Sequence, residues 1–148
     1  MKAMILAAGL GTRLKPFTDH HPKALAIVNG KSLLQRNIEY LQDYGIYELV
    51  VNVHHFANQM KDAIQKNKGW GSNVTISDES EEVLETGGGL LRAKAHFENE
   101  AKWLVMNADI LTDLNLGKML EADKAFDALS EGEMVATLAV TNRTTSRN

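Results

Sequence analysis

Short apolar runs alternate along the chain with stretches in which apolar residues recur every three or four positions. The short runs are almost continuously apolar, which is typical of strands covered on both faces of a parallel sheet. Five strands are therefore predicted, and a weaker sixth. They are Lys2–Leu6, Glu48–Val53, Val74–Ser77, Trp103–Met106 and Val135–Val140, with the weaker one at Ala24–Val28.

The stretches between these runs predict four amphipathic helices. Ser32 and Gln35 have the spacing of a capping box at the start of the first helix, and Gly45 follows its last turn. The third helix is expected directly after Gly87-Gly88-Gly89. The apolar positions of the four helices are Leu34, Ile38 and Leu41; Phe56, Met60, Ala63 and Ile64; Leu90, Leu91 and Ala95; and Leu116, Met119 and Leu120.

This alternation of strands and helices predicts an α/β fold: a three-layer α/β/α sandwich around a mainly parallel, Rossmann-like sheet. The 148 residues contain no repeat and no linker, so a single domain spanning 1–148 is expected. A polar stretch, residues 141–148, follows the last predicted strand with nothing to cover that strand. It is interpreted either as a short tail or as the sign of a chain cut within its domain.

Composition narrows the function classes. Sixteen Lys and Arg against 19 Asp and Glu give a net charge of −3, which argues against a nucleic-acid or anionic-membrane partner. The absence of cysteine excludes disulfides, thiolate metal sites and a cysteine nucleophile. The longest apolar run is far shorter than the ~20 residues of a membrane helix. A cytoplasmic protein is expected.

Four polar or glycine-rich segments follow the predicted strands. Because ligands bind outside the carboxyl ends of the strands in open parallel sheets, these segments are expected to form one site. The segments are Ala7–Lys23, Asn52–His55, Asp78–Gly89 and Asn107–Asp109.

The first segment carries the groups expected of a phosphate-binding loop. Gly9 and Gly11 let the backbone approach a ligand closely. Arg13 offers a planar fork of donors and Lys23 a compact positive charge. Two prolines in the same segment stiffen the loop that holds both cations.

Two common phosphate-binding motifs are excluded. A dinucleotide fingerprint requires a third glycine where Leu14 stands. Gly30-Lys31-Ser32 imitates the end of a P-loop, but Leu25 occupies the position of its first glycine. Gly30-Lys31 is therefore interpreted as a turn and Ser32 as a helix cap.

The stretch from Gly9 to Lys23, GLGTRLKPFTDHHPK, resembles the signature of the sugar-1-phosphate nucleotidylyltransferases. The resemblance continues through Leu84–Gly89 (LETGGG) and Asn107–Asp109 (NAD) and so covers nearly the whole chain. Among the branches of that family, LETGGG most resembles the N-acetylmuramate-1-phosphate uridylyltransferases. The guanylyltransferases that act on mannose- or heptose-1-phosphate remain an alternative.

The resemblance implies a role for each matching residue. Arg13 would grip the triphosphate, Lys23 would bridge the α-phosphate and the sugar phosphate, and Asp109 would bind Mg²⁺. These three are the predicted catalytic residues. The predicted nucleotide-binding residues are Leu6, Ala7, Ala8, Gly9, Gly11 and Thr12 for the phosphates and Thr86, Gly87 and Gly88 for the base.

The implied reaction is Mg²⁺-dependent transfer of a nucleoside monophosphate from UTP, or from GTP, to a sugar-1-phosphate, with release of pyrophosphate. It belongs to nucleotide-sugar biosynthesis and, through the uridylyltransferase branch, to the cell envelope. The alternatives are CTP-dependent transfer to phosphocholine and a non-catalytic nucleotide-binding module. Family members continue past residue 148 with much of the sugar site and a second metal-binding carboxylate. The chain is therefore expected to be an N-terminal portion, and its oligomeric state stays open.

The remaining polar residues are weaker candidates. His20-His21 and His54-His55 are adjacent pairs and lack the i, i+4 spacing of two ligands on one helix face. Asn52, His54 and His55 are expected at the edge of the pocket, either in contact with substrate or in ordinary hydrogen-bonding roles. Glu79, Glu81, Glu82 and Glu85 are interpreted as a solvated acidic loop, in which Glu85 adjoins the base-binding residues.

Overall fold

The computed structural model describes residues 1–82, 84–130 and 134–140. Contacts divide the chain into two compact units, Met1–Thr112 and Asp113–Asn148. The strands are β1 (Ala3–Leu6), β2 (Ile27–Val28), β3 (Lys31–Ser32), β4 (Glu48–Val53), β5 (Asn73–Asp78) and β6 (Leu104–Asn107). The α-helices are α1 (Leu33–Gln42), α2 (Ala57–Lys66), α3 (Thr86–Ala93) and α4 (Leu116–Leu129). Short 3₁₀ turns occupy Thr12–Leu14, Phe17–Asp19, Lys23–Leu25, Lys68–Gly71 and Lys94–Phe97.

Four strands form a parallel sheet in the order β5-β4-β1-β6. In this register Ile5 of β1 lies opposite Val51 of β4 and Met106 of β6. The chain first moves outward from β1 to β4 and β5, and then returns to place β6 on the other side of β1. This reversal opens a crevice at the carboxyl end of β1, where ligands bind in folds of this kind.

The centre of the sheet is covered on both faces. Successive side chains of a strand point to opposite faces, and Ala3, Met4 and Ile5 are all fully buried. Val50 and Val51 of β4 are buried in the same way. On one face Met4 and Val50 pack in one cluster with Ala93 and Phe97. The continuously apolar runs of β1 and β4 therefore reflect burial on both faces of the sheet. The predicted α/β fold is confirmed.

The first helix follows the predicted pattern, and in the second Met60 and Ile64 are buried as predicted, whereas Phe56 precedes the helix. In α1, Leu34, Ile38 and Leu41 have no exposed surface, and Ser32 caps the helix by accepting a hydrogen bond from the Gln35 amide at 3.1 Å. Gly45 ends this helix with a left-handed φ of 73°. None of the helices within the described ranges has the length and apolar character needed to cross a membrane.

The third helix begins earlier than predicted. Helix α3 starts at Thr86, so Gly87, Gly88 and Gly89 form its first turn and do not precede it. Glycine is the poorest helix former after proline, which explains why the sequence pattern placed the start after the run. The Gly89 amide donates to the Glu85 carbonyl at 2.9 Å, whereas the amides of Thr86, Gly87 and Gly88 precede the first helical hydrogen bond and have no helical partner.

The weaker strand predicted at Ala24–Val28 is wrong over most of its length. Lys23–Leu25 forms a 3₁₀ turn, and only Ile27–Val28 is extended. That pair forms an antiparallel hairpin with Lys31–Ser32 outside the main sheet. The connecting Asn29 and Gly30 both have positive φ, at 48° and 79°, as a tight hairpin turn requires.

The second unit contains α4, whose first turn is capped by the Asn115 side chain, which accepts from the Lys118 amide at 3.0 Å. The strand predicted at Val135–Val140 is wrong. Residues 134–140 form no strand, and Val135 and Val140 are 98% and 87% exposed. A strand exists only when a neighbour accepts and donates its backbone hydrogen bonds, and an apolar run does not reveal whether that neighbour is present.

Candidate active site

A cavity of about 470 Å³ opens at the carboxyl edge of the sheet, where the segments following β1 and β6 meet the start of α3. Asn52, near the end of β4, also reaches this cavity. The predicted site residues that line it are Leu6, Ala7, Ala8, Gly9, Gly11, Thr12, Arg13, Lys23, Thr86 and Asp109. The structure thus brings together segments that lie far apart in the sequence.

The two glycines of the first loop have different surroundings. A Cβ on Gly9 would meet no atom within 4 Å, so this backbone stands free beside the cavity. A Cβ on Gly11 would lie 2.8 Å from Cγ2 of Thr18, and Gly11 has a φ of +66°. Thr18, which is 4% exposed, also donates a hydrogen bond from its hydroxyl to the Gly11 carbonyl at 2.9 Å. Gly11 closes the loop, whereas Gly9 leaves room for a ligand.

Thr18 was not singled out by sequence analysis. It lies in the middle of the loop between the two prolines, where a threonine carries no pattern of its own. Only its contact with Gly11 shows that it fixes the shape of the loop.

Two of the three predicted catalytic residues, Lys23 and Asp109, form an ion pair in the cavity. Nζ of Lys23 lies 2.6 Å from Oδ2 of Asp109, although their positions are 86 residues apart. Both side chains are partly exposed, at 28% for Lys23 and 39% for Asp109, so both are accessible to a ligand. Arg13 lines the same cavity and is exposed. The arrangement presents two cations, Arg13 and Lys23, and the carboxylate of Asp109 to whatever enters, and the Glu85 carboxylate also lines the cavity.

The segment that carries Asp109 is held from two sides. The Ala108 amide donates to the carbonyl of Leu6 at 2.9 Å. Nδ2 of Asn37, on α1, donates to the Ala108 carbonyl at 2.8 Å. Asn37 is 2% exposed and was missed by sequence analysis, although an asparagine on the apolar face of α1 is the signal that would have found it. These bonds fix the backbone from which Asp109 projects.

The predicted acidic loop contains one residue that is not solvated. Glu79 is fully buried, and its Oε1 accepts a hydrogen bond from Nδ2 of Asn52 at 3.0 Å. The interpretation of Glu79 as a solvated residue is therefore wrong, because the chain turns inward directly after β5. Glu81 and Glu82 are exposed as expected, and Glu85 is exposed and lines the cavity.

The glycines predicted to approach the base do not line the cavity. A Cβ on Gly88 would lie 3.1 Å from Cβ of Leu84, so Gly88 packs against its own chain. Gly87 is exposed and has open space around its Cα. Thr86 and Glu85 lie beside these glycines and do line the cavity. The contact of Gly87 and Gly88 with a base stays a prediction.

One histidine ring of each pair has a hydrogen-bonding partner in the protein. Nδ1 of His21 lies 3.3 Å from Oε1 of Gln59, and Nδ1 of His54 lies 2.6 Å from the carbonyl of Glu79. Over the residues that the structure describes, no three histidine, aspartate or glutamate side chains are grouped as a metal site would require. The acidic residues that line the cavity, within the described part of the chain, are Glu85 and Asp109.

Asp78, the last residue of β5, has a strongly lowered pKa. Hydrogen bonds from the Lys61 ammonium group and from the Ser80 hydroxyl and amide hold the pKa of the Asp78 carboxyl well below its usual range. Lys61 belongs to α2, so this ion pair ties that helix to the end of β5. Neither Lys61 nor Asp78 lines the cavity, so the ion pair stabilises the elements around the site and does not contact a ligand there.

A family model described as nucleotidyl transferase matches residues 2–147. The chain belongs to the nucleotidyl transferase family. It is 40% identical over 115 residues to the N-acetylmuramate alpha-1-phosphate uridylyltransferase of Neisseria meningitidis serogroup B, across 78% of this chain and 49% of that relative. It is 36% identical over 119 residues to the D-glycero-alpha-D-manno-heptose 1-phosphate guanylyltransferase of Campylobacter jejuni, across 80% of this chain and 52% of the relative.

A solved structure agrees with this family assignment. The crystal structure of HddC from Yersinia pseudotuberculosis complexed with GMP-PN is similar with a TM-score of 0.74 and 34% sequence identity, over 82% of this chain and 53% of that chain. The chain spans about half the length of the nucleotidyl transferases that it matches. The resemblance stated from the sequence motifs is confirmed at the level of the family.

Proposed function

We propose that the chain forms the nucleotide-binding part of a sugar-1-phosphate nucleotidylyltransferase. The observation that carries the proposal is the meeting of Lys23 and Asp109, with Nζ and Oδ2 2.6 Å apart, in a cavity also lined by Arg13 and by the free backbone of Gly9. This set of groups suits a polyphosphate: cations and open backbone amides for its oxygens, and a carboxylate for its counter-ion.

The reaction needs no nucleophile from the protein. A phosphate oxygen of the sugar-1-phosphate, already an anion at neutral pH, attacks the α-phosphorus of the triphosphate. The bond from that phosphorus to the β-phosphate oxygen breaks, and pyrophosphate leaves. Because both reactants are polyanions, the protein's contribution is positioning and neutralisation of charge. Arg13 and Lys23 supply the positive charge for this.

Lys23 is proposed to exchange partners when substrates bind. In the structure its ammonium group is paired with Asp109, which keeps both charges compensated. The lysine side chain is a flexible stem with three rotatable donors, so its head can move from a carboxylate to phosphate oxygens nearby. The exchange places the cation between the α-phosphate and the sugar phosphate and leaves the Asp109 carboxylate free.

The residues of the cavity fit a magnesium ion. Mg²⁺ takes one or two carboxylates and otherwise keeps water and phosphate oxygens as ligands, and Asp109 is a partly exposed carboxylate on a fixed backbone. We propose that Asp109 holds the ion. When bound, the ion supplies neutralisation of phosphate charge.

UTP is the proposed nucleotide, because the chain is 40% identical to a uridylyltransferase across 78% of its length. GTP with a mannose- or heptose-1-phosphate is the second candidate, favoured by the similarity to the heptose 1-phosphate guanylyltransferase. CTP-dependent transfer to phosphocholine and a non-catalytic nucleotide-binding module remain the further alternatives.

The test is Mg²⁺-dependent release of pyrophosphate across the four nucleoside triphosphates and a panel of sugar-1-phosphates, together with triphosphate binding by calorimetry. Asp109→Asn is expected to lower turnover by about 10²-fold or more. Asp62→Asn, at an exposed position of α2, is the matched control and is expected to leave turnover unchanged.

Release with one pair of substrates, lost in Asp109→Asn alone, would establish the activity and name the base and the sugar. Binding of one triphosphate without turnover would support the nucleotide site. Turnover would then be measured on a longer protein that includes this chain. If the chain showed no triphosphate binding and no turnover, the proposal would be contradicted. An Asp109→Asn variant with full activity would contradict it as well.

A further inference from the structure

A buried carboxylate lies behind the cavity. Glu79 follows β5 directly and has no exposed surface. Its Oε1 accepts one hydrogen bond, from Nδ2 of Asn52 at 3.0 Å, while Oε2 has no partner within the described part of the chain. Burying a carboxyl group with so few partners is unfavourable, so its presence calls for a physical reason.

The partner of Glu79 connects it to the loop that lines the cavity. Oδ1 of Asn52 accepts a hydrogen bond from the backbone amide of Ala7 at 2.7 Å. Ala7 is the first residue after β1 and itself lines the cavity, as does Asn52. Glu79, Asn52 and Ala7 thus form a chain of two hydrogen bonds that runs from a buried acid to the predicted nucleotide loop.

Only one orientation of the Asn52 side-chain amide allows both hydrogen bonds. An asparagine amide presents a donor at one end and an acceptor at the other, and rotation by half a turn exchanges them. A rotated Asn52 would turn its NH₂ group toward the amide of Ala7, so that two donors would face each other. Oε1 of Glu79 accepts from Nδ2 of Asn52, so this bond favours the rotamer that offers Oδ1 to Ala7.

The surroundings hold Glu79 in place for this task. Its amide donates to the Val53 carbonyl at 2.7 Å, and its own carbonyl is bonded to Nδ1 of His54 at 2.6 Å. A Cβ on Gly89, in the first turn of α3, would lie 3.0 Å from both Nδ2 of Asn52 and Oε1 of Glu79. The third glycine of LETGGG therefore lets α3 pack directly against the bonded pair.

We propose that Glu79 is a positioning residue: it orients the Asn52 amide, which fixes Ala7 and thereby the start of the loop that receives the nucleotide. The part of this inference that concerns the nucleotide rests on the proposed function. Glu79 has no exposed surface and so acts through Asn52, without touching a ligand. The amide of Ala7 is committed to Asn52, so in this proposal the loop contacts phosphates through other groups, among them the backbone of Gly9, which has open space beside it.

The donor and acceptor pattern can be tested by exchanging it. Asn52→Asp keeps an acceptor for Ala7 but removes the Nδ2 donor to Glu79, so that two carboxyl groups face each other where an amide and a carboxyl were bonded. Glu79→Gln keeps an acceptor for Asn52 through its amide oxygen. In the double variant, the amide introduced at position 79 donates to the carboxylate introduced at position 52, which in turn accepts from Ala7. The pattern is thus restored by exchanging one amide and one acid, and all three variants conserve side-chain volume.

The first readout does not involve activity. In the wild type, the Ala7 amide is expected to be protected from hydrogen exchange, as followed by NMR on the full 148-residue chain. Asn52→Asp is expected to raise its exchange rate by about tenfold or more, and the double variant to return within about threefold of the wild type. Glu79→Gln alone is expected to have a small effect of about threefold. Asn58→Asp and Glu81→Gln, both at exposed positions, are the matched controls.

The second readout is the Kd for the nucleoside triphosphate that the wild type binds. It is expected to rise about tenfold in Asn52→Asp and to recover in the double variant. A purely steric role predicts no change in any of these variants, since their volumes match. Unchanged exchange at Ala7 in Asn52→Asp, or a double variant no better than Asn52→Asp, would overturn the inference.

The two proposals fail separately. If the wild type binds no triphosphate, the proposed function is contradicted, while exchange at Ala7 still decides whether Glu79 positions the loop. If triphosphate binds but the exchange pattern shows no rescue, the proposed function stands and the role of Glu79 is refuted.

Discussion

At the scale of single residues, two glycines of the same loop perform different tasks. Gly11→Ala is expected to destabilise the protein by about 2 kcal/mol, because its positive φ disfavours a side chain and its Cβ would lie 2.8 Å from Thr18. Gly9→Ala, which would meet no atom within 4 Å, is expected to leave the free energy of unfolding unchanged within about 0.5 kcal/mol. Urea unfolding of both variants measures the difference, and equal losses would refute it.

Lys23 provides a second prediction at this scale. Lys23→Met is expected to lower pyrophosphate release by about 10²-fold, because it removes a positive charge that the transition state needs. Its effect on the free energy of unfolding should stay below about 1 kcal/mol, since ion pairs with this much exposure contribute little.

The measurements for Lys23 are initial rates and urea unfolding. Lys15→Met is the control: Lys15 lies in the same loop and pairs with Asp19 at 3.1 Å, but it does not line the cavity. A variant at position 15 that lost as much activity as Lys23→Met would show that the charge of the loop matters and not the place of Lys23.

At the scale of elements, helix α1 contributes to the site from behind. Asn37→Leu conserves volume but leaves the Ala108 carbonyl, next to Asp109, without the donor that it has now. Ala108 is 3% exposed, so water does not replace the lost bond, and a loss of about 1–3 kcal/mol in the free energy of unfolding is expected. Turnover should fall as well, because the backbone of Asp109 is released. Asn58→Leu, on the exposed side of α2, is the control for both measurements.

The ion pair between α2 and the end of β5 makes a pH-dependent contribution to stability. The pKa of Asp78 is lowered in the folded state, chiefly by Lys61, so the stabilisation is present above the unfolded pKa of about 4. It is lost as the pH falls through the lower, folded pKa. Lys61→Met should therefore reduce stability at neutral pH, by less than about 1 kcal/mol because both side chains are about 40% exposed.

The deficit of Lys61→Met should shrink as the pH falls below about 4, where Asp78 in the unfolded chain takes up a proton. Urea unfolding at neutral and acid pH measures it, with Lys66→Met, at an exposed position of the same helix, as the control. A deficit that is the same at both pH values would show that lost packing, not charge, is responsible.

At the scale of the whole molecule, burial predicts a gradient of local stability. The backbone amides of Met4, Ile5, Val50 and Val51 lie in the central strands, whose side chains are covered on both faces, and should exchange most slowly. Residues 134–140 belong to no strand and carry exposed apolar side chains, so their amides should exchange fastest among the described residues. Hydrogen exchange followed by mass spectrometry checks this order. Slow exchange over 134–140 would contradict it.

The sequence by itself determined the family, the fold class and the content of the predicted site. Strands β1 and β4 were found because burial on both faces leaves a continuous apolar run, which is visible without a structure. The same holds for α1, whose cap and apolar spacing are local. Strands β5 and β6 were found from similar short apolar runs, although both lie at the edges of the sheet and are only partly buried. The glycine loop, Lys23 and Asp109 were found because each follows a strand, and the carboxyl ends of parallel strands share one edge.

Only the tertiary structure decided which polar residues are buried and what they hold. Glu79 has the composition of a solvated loop around it, and its burial results from the path of the chain after β5. Asn37 lies on the apolar face of α1, but only the structure shows that it holds the Ala108 carbonyl, and only the structure shows that Thr18 holds Gly11. The failed strand at Val135–Val140 has the same cause, since a strand depends on its neighbour as much as on its own residues. Local patterns report a residue's propensity, while its partners are set by the fold.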